Sequence, residues 1–376
     1  MSGPIEMIAS VPELAAASEA IAREARFALD IESNSFYSYP ERVCLVQMAT
    51  TDHVYLLDPL ALDNCAGLGS LLADELLEKV LHASSNDLRS LDRQWGFRVQ
   101  NLFDTSVAAA FVGMKRLGLA AVLSELLGIA IAKDIKLQRA DWGRRPLDDR
   151  LMQYAATDVI HLLRLREVLG QRLCTLGREE WVAEECARIE EVRYVAPDRT
   201  LAFLSIKGSR DLDGRGLAVL KELAAFRESE VLRLGRPSFR VMPDSALVAL
   251  AREPDAVLTK VPGVGRYARA PLASRMTQAL EKGKRDRPVR RPAPSEPSRP
   301  RPSKEEQDRL RALKKWRIEQ GQRLELDPAL LWPAPGLERL SRKPKDLDAE
   351  LTAPEVRAWQ RRELGASLRA LVGAMA

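Results

Sequence analysis

The sequence predicts an α/β domain built on a mixed five-stranded sheet with helices, followed by two small all-α domains. Three observations carry this reading. In the first half, short β-prone runs first pair locally and then alternate with helical stretches. Beyond Pro197 the chain reads as short helices with apolar residues three and four apart. That half also repeats itself at a constant offset of 90 residues. Leu220, Leu223 and Phe226-Arg227 match Leu310, Leu313 and Trp316-Arg317. Pro243, Leu247, Leu250, Arg252 and Pro254 match Pro333, Leu337, Leu340, Arg342 and Pro344.

Taken in order, Glu13 to Arg26 reads as a helix that leads into the strand Phe27–Glu32. Val43–Thr50 and His53–Asp58 are β-rich runs joined by the hairpin-like turn Thr51-Asp52, and Lys79–Ala83 and Gln100–Phe103 complete the five strands. Helices are expected from Ser84-Ser85-Asn86, from Asp104-Thr105, and over Leu117–Leu127 with Gly128 as the stop. Another starts at Pro146 and runs to about Gly170, and helix continues to Arg193 with Trp181 and Cys186 in the core. The expected domains are 1–195, 205–281 and 305–376, with 282–304 as a linker.

A chain of 376 residues holds two or three such domains. Its 46% hydrophobic and 30% charged content is that of an ordinary soluble protein. Cys44, Cys65, Cys174 and Cys186 are scattered, with no Cys-x-x-Cys and too few histidines for a zinc site, which fits free thiols in a reducing compartment. The N-terminus lacks a basic region followed by an apolar core, and no apolar run approaches membrane-spanning length. A cytoplasmic protein with no membrane contact and no evident obligate protein partner is expected. Charge is uneven. Lys282 to Lys304 carries nine Lys/Arg, two acids and six prolines, so removing its +7 from the chain's +5 leaves −2. That composition predicts an extended, disordered tether, either a solubilising spacer or an attractor of nucleic acid.

The chemistry is expected around Phe27-Ala28-Leu29-Asp30-Ile31-Glu32. Strand alternation puts Asp30 and Glu32 on one face, about 6.6 Å apart along the backbone. Two like charges on a buried strand repel, and a bridging divalent cation turns that repulsion into attraction. The alternative is an exposed strand with two hydrated acids. Asp87 stands at a strand-to-helix junction, where an acid is also a common helix cap. Tyr154 and Asp158 lie four apart on a helix and so share a face, with small Ala155 and Ala156 between them.

The order Asp30-x-Glu32, Asp87, Tyr154-x-x-x-Asp158 resembles the DEDDy 3′→5′ exonucleases of ribonuclease H-like fold. The flanks Leu81-His-Ala-Ser-Ser-Asn-Asp-Leu88, Leu102-Phe-Asp-Thr105 and Asp141-Trp-Gly-Arg-Arg-Pro-Leu147 are similar to ribonuclease D. Ile31 stands where Thr is usual and is expected to face away from the metals; Ser33 stands where an aromatic is frequent. The resemblance implies a metal-dependent exoribonuclease that trims RNA 3′ ends, tRNA precursors among them, and releases nucleoside 5′-monophosphates. It implies that Asp30, Glu32, Asp87 and Asp158 hold two Mg²⁺ or Mn²⁺ ions. Tyr154 would orient the attacking water, with His82 and Asp104 in supporting roles. Lys136, Arg139, Trp142, Arg144 and Arg145, on the loop before the last helix, are candidates to receive the RNA backbone and stack a base, or else surface charge and a core tryptophan. The repeated units are similar to the helicase-and-ribonuclease-D C-terminal (HRDC) domain. The first contains Val261-Pro-Gly-Val-Gly265, whose Gly263 and Gly265 are candidates for phosphate contact, or else a plain turn. The aligned Leu351-Thr-Ala-Pro-Glu355 lacks those glycines. Two rival readings share these residues: a DNA 3′→5′ exonuclease, and a non-catalytic RNA-binding protein that keeps the fold.

Overall fold

The computed structural model describes residues 4–132, 134–292 and 301–375. The first half runs β1 (Ile5–Ile8), α1 (Val11–Ile21), β2 (Arg26–Ser33), β3 (Val43–Ala49), β4 (Val54–Leu57), α2 (Ala66–Ala73), β5 (Glu78–Leu81), α3 (Ser85–Trp95) and β6 (Leu102–Asp104). Six helices follow: α4 (Thr105–Phe111), α5 (Leu119–Leu127), α6 (Ile135–Gln138), α7 (Asp149–Val159), α8 (Leu162–Leu176) and α9 (Glu179–Glu190). Then come α10 (Gly214–Leu234), α11 (Ser238–Val241), α12 (Asp244–Arg252) and α13 (Leu272–Arg285). The chain closes with α14 (Lys304–Leu324), α15 (Pro328–Leu331), α16 (Ala334–Arg342), α17 (Leu347–Leu351) and α18 (Ala358–Gly373). Packing divides the described residues into two units, one of 4–32, 43–194 and 301–375, the other of 33–42 and 195–292.

In the first unit the strands form one mixed sheet in the order β1-β4-β3-β2-β5-β6. β1 runs parallel to β4, β3 antiparallel to β4, and β2, β5 and β6 run parallel. Every residue of β3 and β4 is buried, because the apolar runs Val-Cys-Leu-Val-Gln-Met-Ala and Val-Tyr-Leu-Leu are covered on both faces. The sheet has six strands rather than the expected five. The addition, β1, is a four-residue edge strand whose partner lies some fifty residues on, so no local turn announces it. The single helix expected from 146 to 170 is two, α7 and α8, and neither Gly nor Pro marks the break at Ile160-His161.

Helices α14–α18 share the core of the sheet. Trp359 of α18 is fully buried and stacks on Trp181 of α9, with centroids 4.5 Å apart and planes at 15°. It also meets Phe111 edge-on at 5.3 Å. Arg178 donates to the Phe111 carbonyl at 2.7 Å and the Leu324 carbonyl at 2.6 Å. Glu184 accepts the Ala358 and Trp359 N–H groups at 2.7 and 3.1 Å, placing a carboxylate on the positive end of α18. Glu185 receives Arg357 through two nitrogens at 2.7 and 2.9 Å.

The second unit packs α10 to α13 around its own core, with Leu217, Leu220, Leu223, Leu247 and Tyr267 buried. The bounds of α10, α11 and α12 recur 90 residues later as those of α14, α15 and α16. One hydrogen bond recurs as well: Arg227 Nη1 donates to the Met242 carbonyl at 3.0 Å, and Arg317 Nη1 to the Trp332 carbonyl at 3.1 Å. The basic segment 282–304 is not a wholly extended tether. Lys282 to Arg285 form the last turn of α13, since Glu222 and Asp255 stand where Lys282 and Lys284 pair with them, each at 2.8 Å. The Val289 N–H donates to the Gly214 carbonyl at 2.8 Å, and Lys304 is already the first residue of α14. Residues 293–300 lie outside the described residues.

Trp359→Ala would remove the aromatic group that joins α18 to α4 and α9. The expected cost is about 3–5 kcal/mol, the usual range for a buried Trp cut to Ala. It would be read as a lowered urea midpoint of the first unit, followed through its other tryptophans. An unchanged midpoint would mean that α18 does not complete this core.

Candidate active site

The acids gather where the parallel strands end. β2 buries Phe27, Ala28 and Leu29, and its pairing with β5 reaches only Ala28 opposite Val80. Asp30 and Glu32 therefore extend past the segment paired with β5, at the carboxyl ends of the parallel strands, where open α/β sheets bind ligands. β5 feeds α3, whose first turn carries Asp87. The connecting turn puts Ala83 at φ 59°, a left-handed conformation unfavourable for a residue with a Cβ. Asp104, at the end of β6, holds that turn in place. Its carboxylate accepts the Ala83 N–H at 3.1 Å, the Ser84 N–H at 2.8 Å and the Ser84 hydroxyl at 2.7 Å. It also caps α4 through the Ser106 N–H and hydroxyl, at 2.8 and 2.7 Å. Burial pushes the Asp104 carboxyl up, but these donors, Ser106 foremost, outweigh it and hold the group below its ordinary value.

Helix α7 brings the other two groups. Asp148 caps it by accepting the Leu151 N–H at 2.9 Å, and buried Ala155 and Ala156 let it pack closely while Tyr154 and Asp158 point together. Asp30, Glu32, Tyr154 and Asp158 line one cavity of about 260 Å³, with His82 and Gln138. Ile31, between Asp30 and Glu32 on the strand, borders the cavity and packs against the core of the sheet unit.

The electrostatics are those of crowded like charges. Burial pushes Asp30 well above the ordinary carboxylate value, and the charges of Asp87, Asp158 and Glu32 push it further. Burial, then Asp158 and Asp87, raise Glu32 to about 9. Burial and Asp104 raise Asp87 to about 8, and burial takes Asp158 to about 6. Burial and the same carboxylates raise the Tyr154 phenol, so it stays protonated at neutral pH. Burial lowers His82 against the pull of Asp104, which leaves it neutral. Among the described residues no Lys or Arg lines this cavity. Hard, anionic oxygen donors with no resident cation suit a divalent ion of the Mg²⁺ type. Among the described residues no three acidic, His or Cys side chains already form a metal cage. That is consistent with an open site whose shell is completed by water and substrate oxygens.

Two of the expected RNA contacts are overturned. Trp142 is fully buried, its indole 6.1 Å from the Tyr154 ring, so it supports Tyr154 and has no face left for a base. Arg145 is spent on the scaffold, gripping Asp58 through two nitrogens and donating to the Cys44 and Trp142 carbonyls, each at 2.7 Å. Lys136, Arg139 and Arg144 are exposed. In the second unit Gly263 and Gly265 are exposed at φ 87° and 53°. The turn itself requires Gly263, since a Cβ there would lie 2.6 Å from Pro243 Cγ. Gln138 and Arg150 escaped the sequence reading, yet Gln138 lines the acid cavity and Arg150 a neighbouring groove. Counting back from Asp158 by fours through Tyr154 reaches Arg150, a signal the sequence did contain.

Residues 5–174 match the family described as 3′-5′ exonuclease. Ribonuclease D of Granulibacter bethesdensis is 31% identical over 373 residues, covering 97% of this chain and 92% of that protein. The crystal structure of Escherichia coli RNase D, an exoribonuclease involved in structured RNA processing, aligns with a TM-score of 0.69 at 23% identity, over 100% of this chain and 99% of that one. A crystal structure of a protein from Bifidobacterium adolescentis aligns with a TM-score of 0.85, also at 23% identity, over 98% and 97% of the two chains. At that identity the two structures speak to the fold alone.

The raised acids set a pH dependence for the metal-free protein. Below about pH 4 they are protonated in both the folded and the unfolded chain, so these groups then cost the fold nothing. As pH rises from there through about 9, the unfolded chain ionises freely while Glu32 must ionise buried, and beside Asp158 and Asp87, so their contribution to stability falls. Melting temperatures in EDTA should therefore drop between pH 5 and 9, with the drop smaller for Glu32→Gln and reversed by a divalent ion. Equal pH profiles for the parent and Glu32→Gln would show that these charges do not repel as placed.

Proposed function

The chain belongs to the ribonuclease D family and is a 3′→5′ exoribonuclease, and on that premise we propose that Asp30, Glu32, Asp87 and Asp158 are its metal ligands, for two Mg²⁺ or Mn²⁺ ions. The observation that carries this is that Asp30, Glu32 and Asp158 line one cavity with no Lys or Arg among the described residues, where burial and then the charges of Asp87 and Asp158 raise both Asp30 and Glu32. When bound, such ions stabilise charge on the attacking and leaving oxygens of an in-line displacement at phosphorus.

The chain's own groups divide the remaining work. Asp30 and Glu32 offer carboxylates from a strand buried in the sheet, so they keep their positions as charge builds up. Asp104 acts through the turn it clamps, fixing where Asp87 points. The Tyr154 hydroxyl, protonated at neutral pH, is a hydrogen-bond partner that orients the attacking water and is too weak an acid to act as its base. Water oxygen bonds to phosphorus as the P–O3′ bond breaks, the 3′-oxygen leaves on the shortened strand and takes up a proton, and the phosphate stays on the released nucleotide, a nucleoside 5′-monophosphate.

The substrate class is RNA with an accessible 3′ end, and we place tRNA precursors within it. Lys136, Arg139 and Arg144 are the exposed cations near the site that suit its backbone, and Gly263 and Gly265 offer exposed N–H groups to a phosphate. The helical units 205–281 and 305–376 are read as HRDC-like, the second serving the core rather than RNA. The compartment is the cytoplasm; among the described residues no helix is long and apolar enough to cross a membrane.

Matched RNA and DNA oligonucleotides, each with Mg²⁺, Mn²⁺ or EDTA, test this directly. RNA should be shortened from its 3′ end only with metal, and Asp30→Asn should nearly abolish the reaction while RNA binding persists. Tyr154→Phe should lose about 10²-fold in rate, the scale of a lost positioning group, with metal affinity unchanged. Full activity in EDTA would overturn the metal assignment, and a Phe variant at the parent rate would reduce Tyr154 to a packing residue.

A further inference from the structure

A groove of about 1,030 Å³ opens beside the acid cavity, and the two share Leu119, Gln138, Tyr154 and Asp158. Its walls differ in chemistry. One is apolar, formed by Leu119, Ala120 and Ala121 at the start of α5 with Ile131 beyond its end. The other is the face of α7 that carries the site, where Arg150, Gln153, Tyr154, Thr157 and Asp158 follow at spacings of three and four. The Thr157 hydroxyl is already committed to the Gln153 carbonyl at 2.8 Å. Among the described residues Arg150 is the one Lys or Arg that lines either space, and the groove's other charged residues among them are Asp134, Asp149 and Asp158. Among the described residues its exposed guanidinium has no ion-pair or hydrogen-bond partner.

We propose that Arg150 is a positioning residue that takes a backbone phosphate of the RNA strand upstream of the scissile bond, while the bases lie along the Leu119–Ala121 wall. The proposal rests on the exonuclease reading of the acids. Distance sets which phosphate it takes. Eight residues of α7 separate Arg150 from Asp158, about 12 Å along the helix axis. That is too far for the guanidinium to serve the phosphate at the acids, and suits one a nucleotide or two further up the strand. Charge explains why the contact matters. An entering phosphate meets three carboxylates in this groove, and among the described residues that line it only Arg150 carries an opposing charge. Because the opposite wall offers apolar surface without base-edge hydrogen bonds, the strand is held without regard to sequence.

The test compares the parent protein with Arg150→Gln and Arg150→Lys on single-stranded RNA of several nucleotides and on a dinucleotide, whose only phosphate is the one cleaved. For the longer RNA, Arg150→Gln should raise KM about 5–10-fold with little change in kcat, the weight of one charge-assisted contact. The slope of log binding constant against log salt should flatten by about 0.7, one phosphate's share on a single strand. Arg150→Lys should keep that slope, since its charge remains. For the dinucleotide, KM should be the same in parent and Gln variant. An unchanged salt slope in Arg150→Gln, or an equal rise in KM for both substrates, would overturn the assignment. Failure of the exonuclease reading itself would show separately, as metal-independent behaviour of the parent, because the salt slope is measured by binding without turnover.

Discussion

Carboxylates whose charges raise one another's pKa must be held together at one end of the sheet, and this constraint explains much of the first unit. Left to themselves, such groups would turn towards water and spread apart. Each is instead carried by a part of the fold that has little freedom to yield. Asp30 and Glu32 ride on a central strand, Asp87 on a helix whose entry turn Asp104 grips through several donors, and Asp158 on a helix seated by two buried alanines. The rigidity sits one layer behind the acids, in residues without chemistry of their own. Trp142 backs Tyr154, and Arg145 ties their loop to β3 and Asp58. Binding a cation would relieve the repulsion that this scaffold otherwise withstands.

The acids themselves were legible in the sequence because their spacing is local. Asp-x-Glu on an apolar strand and Tyr-x-x-x-Asp on a helix each report a shared face without knowledge of the fold. What lies behind them was not, since it depends on partners far away in the chain. Arg145 reads as a surface cation until Asp58 and the Cys44 carbonyl are seen around it, 87 and 101 residues distant. Trp142 reads as a possible stacking platform until its burial is known. The edge strand β1 pairs with β4 alone and has a single fully buried residue, so its pattern is too short to signal a strand. The basic segment misled through its composition. Its lysines look free until Glu222 and Asp255, on other turns of the second unit, are found facing them.

The internal repeat has a double character. Its two copies keep the same first three helices, and each keeps the arginine that closes its first helix onto the following turn. Beyond that point they diverge: the first turns through Gly263 and Gly265, while the second sends α18 into the core of the sheet unit. The offset alone establishes the likeness. It gives no sign that Trp359, which has no aromatic counterpart in the first copy, has a place waiting beside Trp181.

That arrangement imposes an order on the birth of the molecule. Trp359 is separated by 174 residues from Glu185, on the helix it joins. At ribosomal speeds of about 5–20 residues per second, roughly 10–35 s pass between the making of α9 and the arrival of the helix that covers it. Through that interval Phe111 and Trp181 present bare aromatic surface on a nascent chain whose clustered acids have all been synthesised. A cell making this protein quickly has to shield that surface, and the time for which it needs shielding is set by the length of chain between the two helices rather than by the stability of the finished fold.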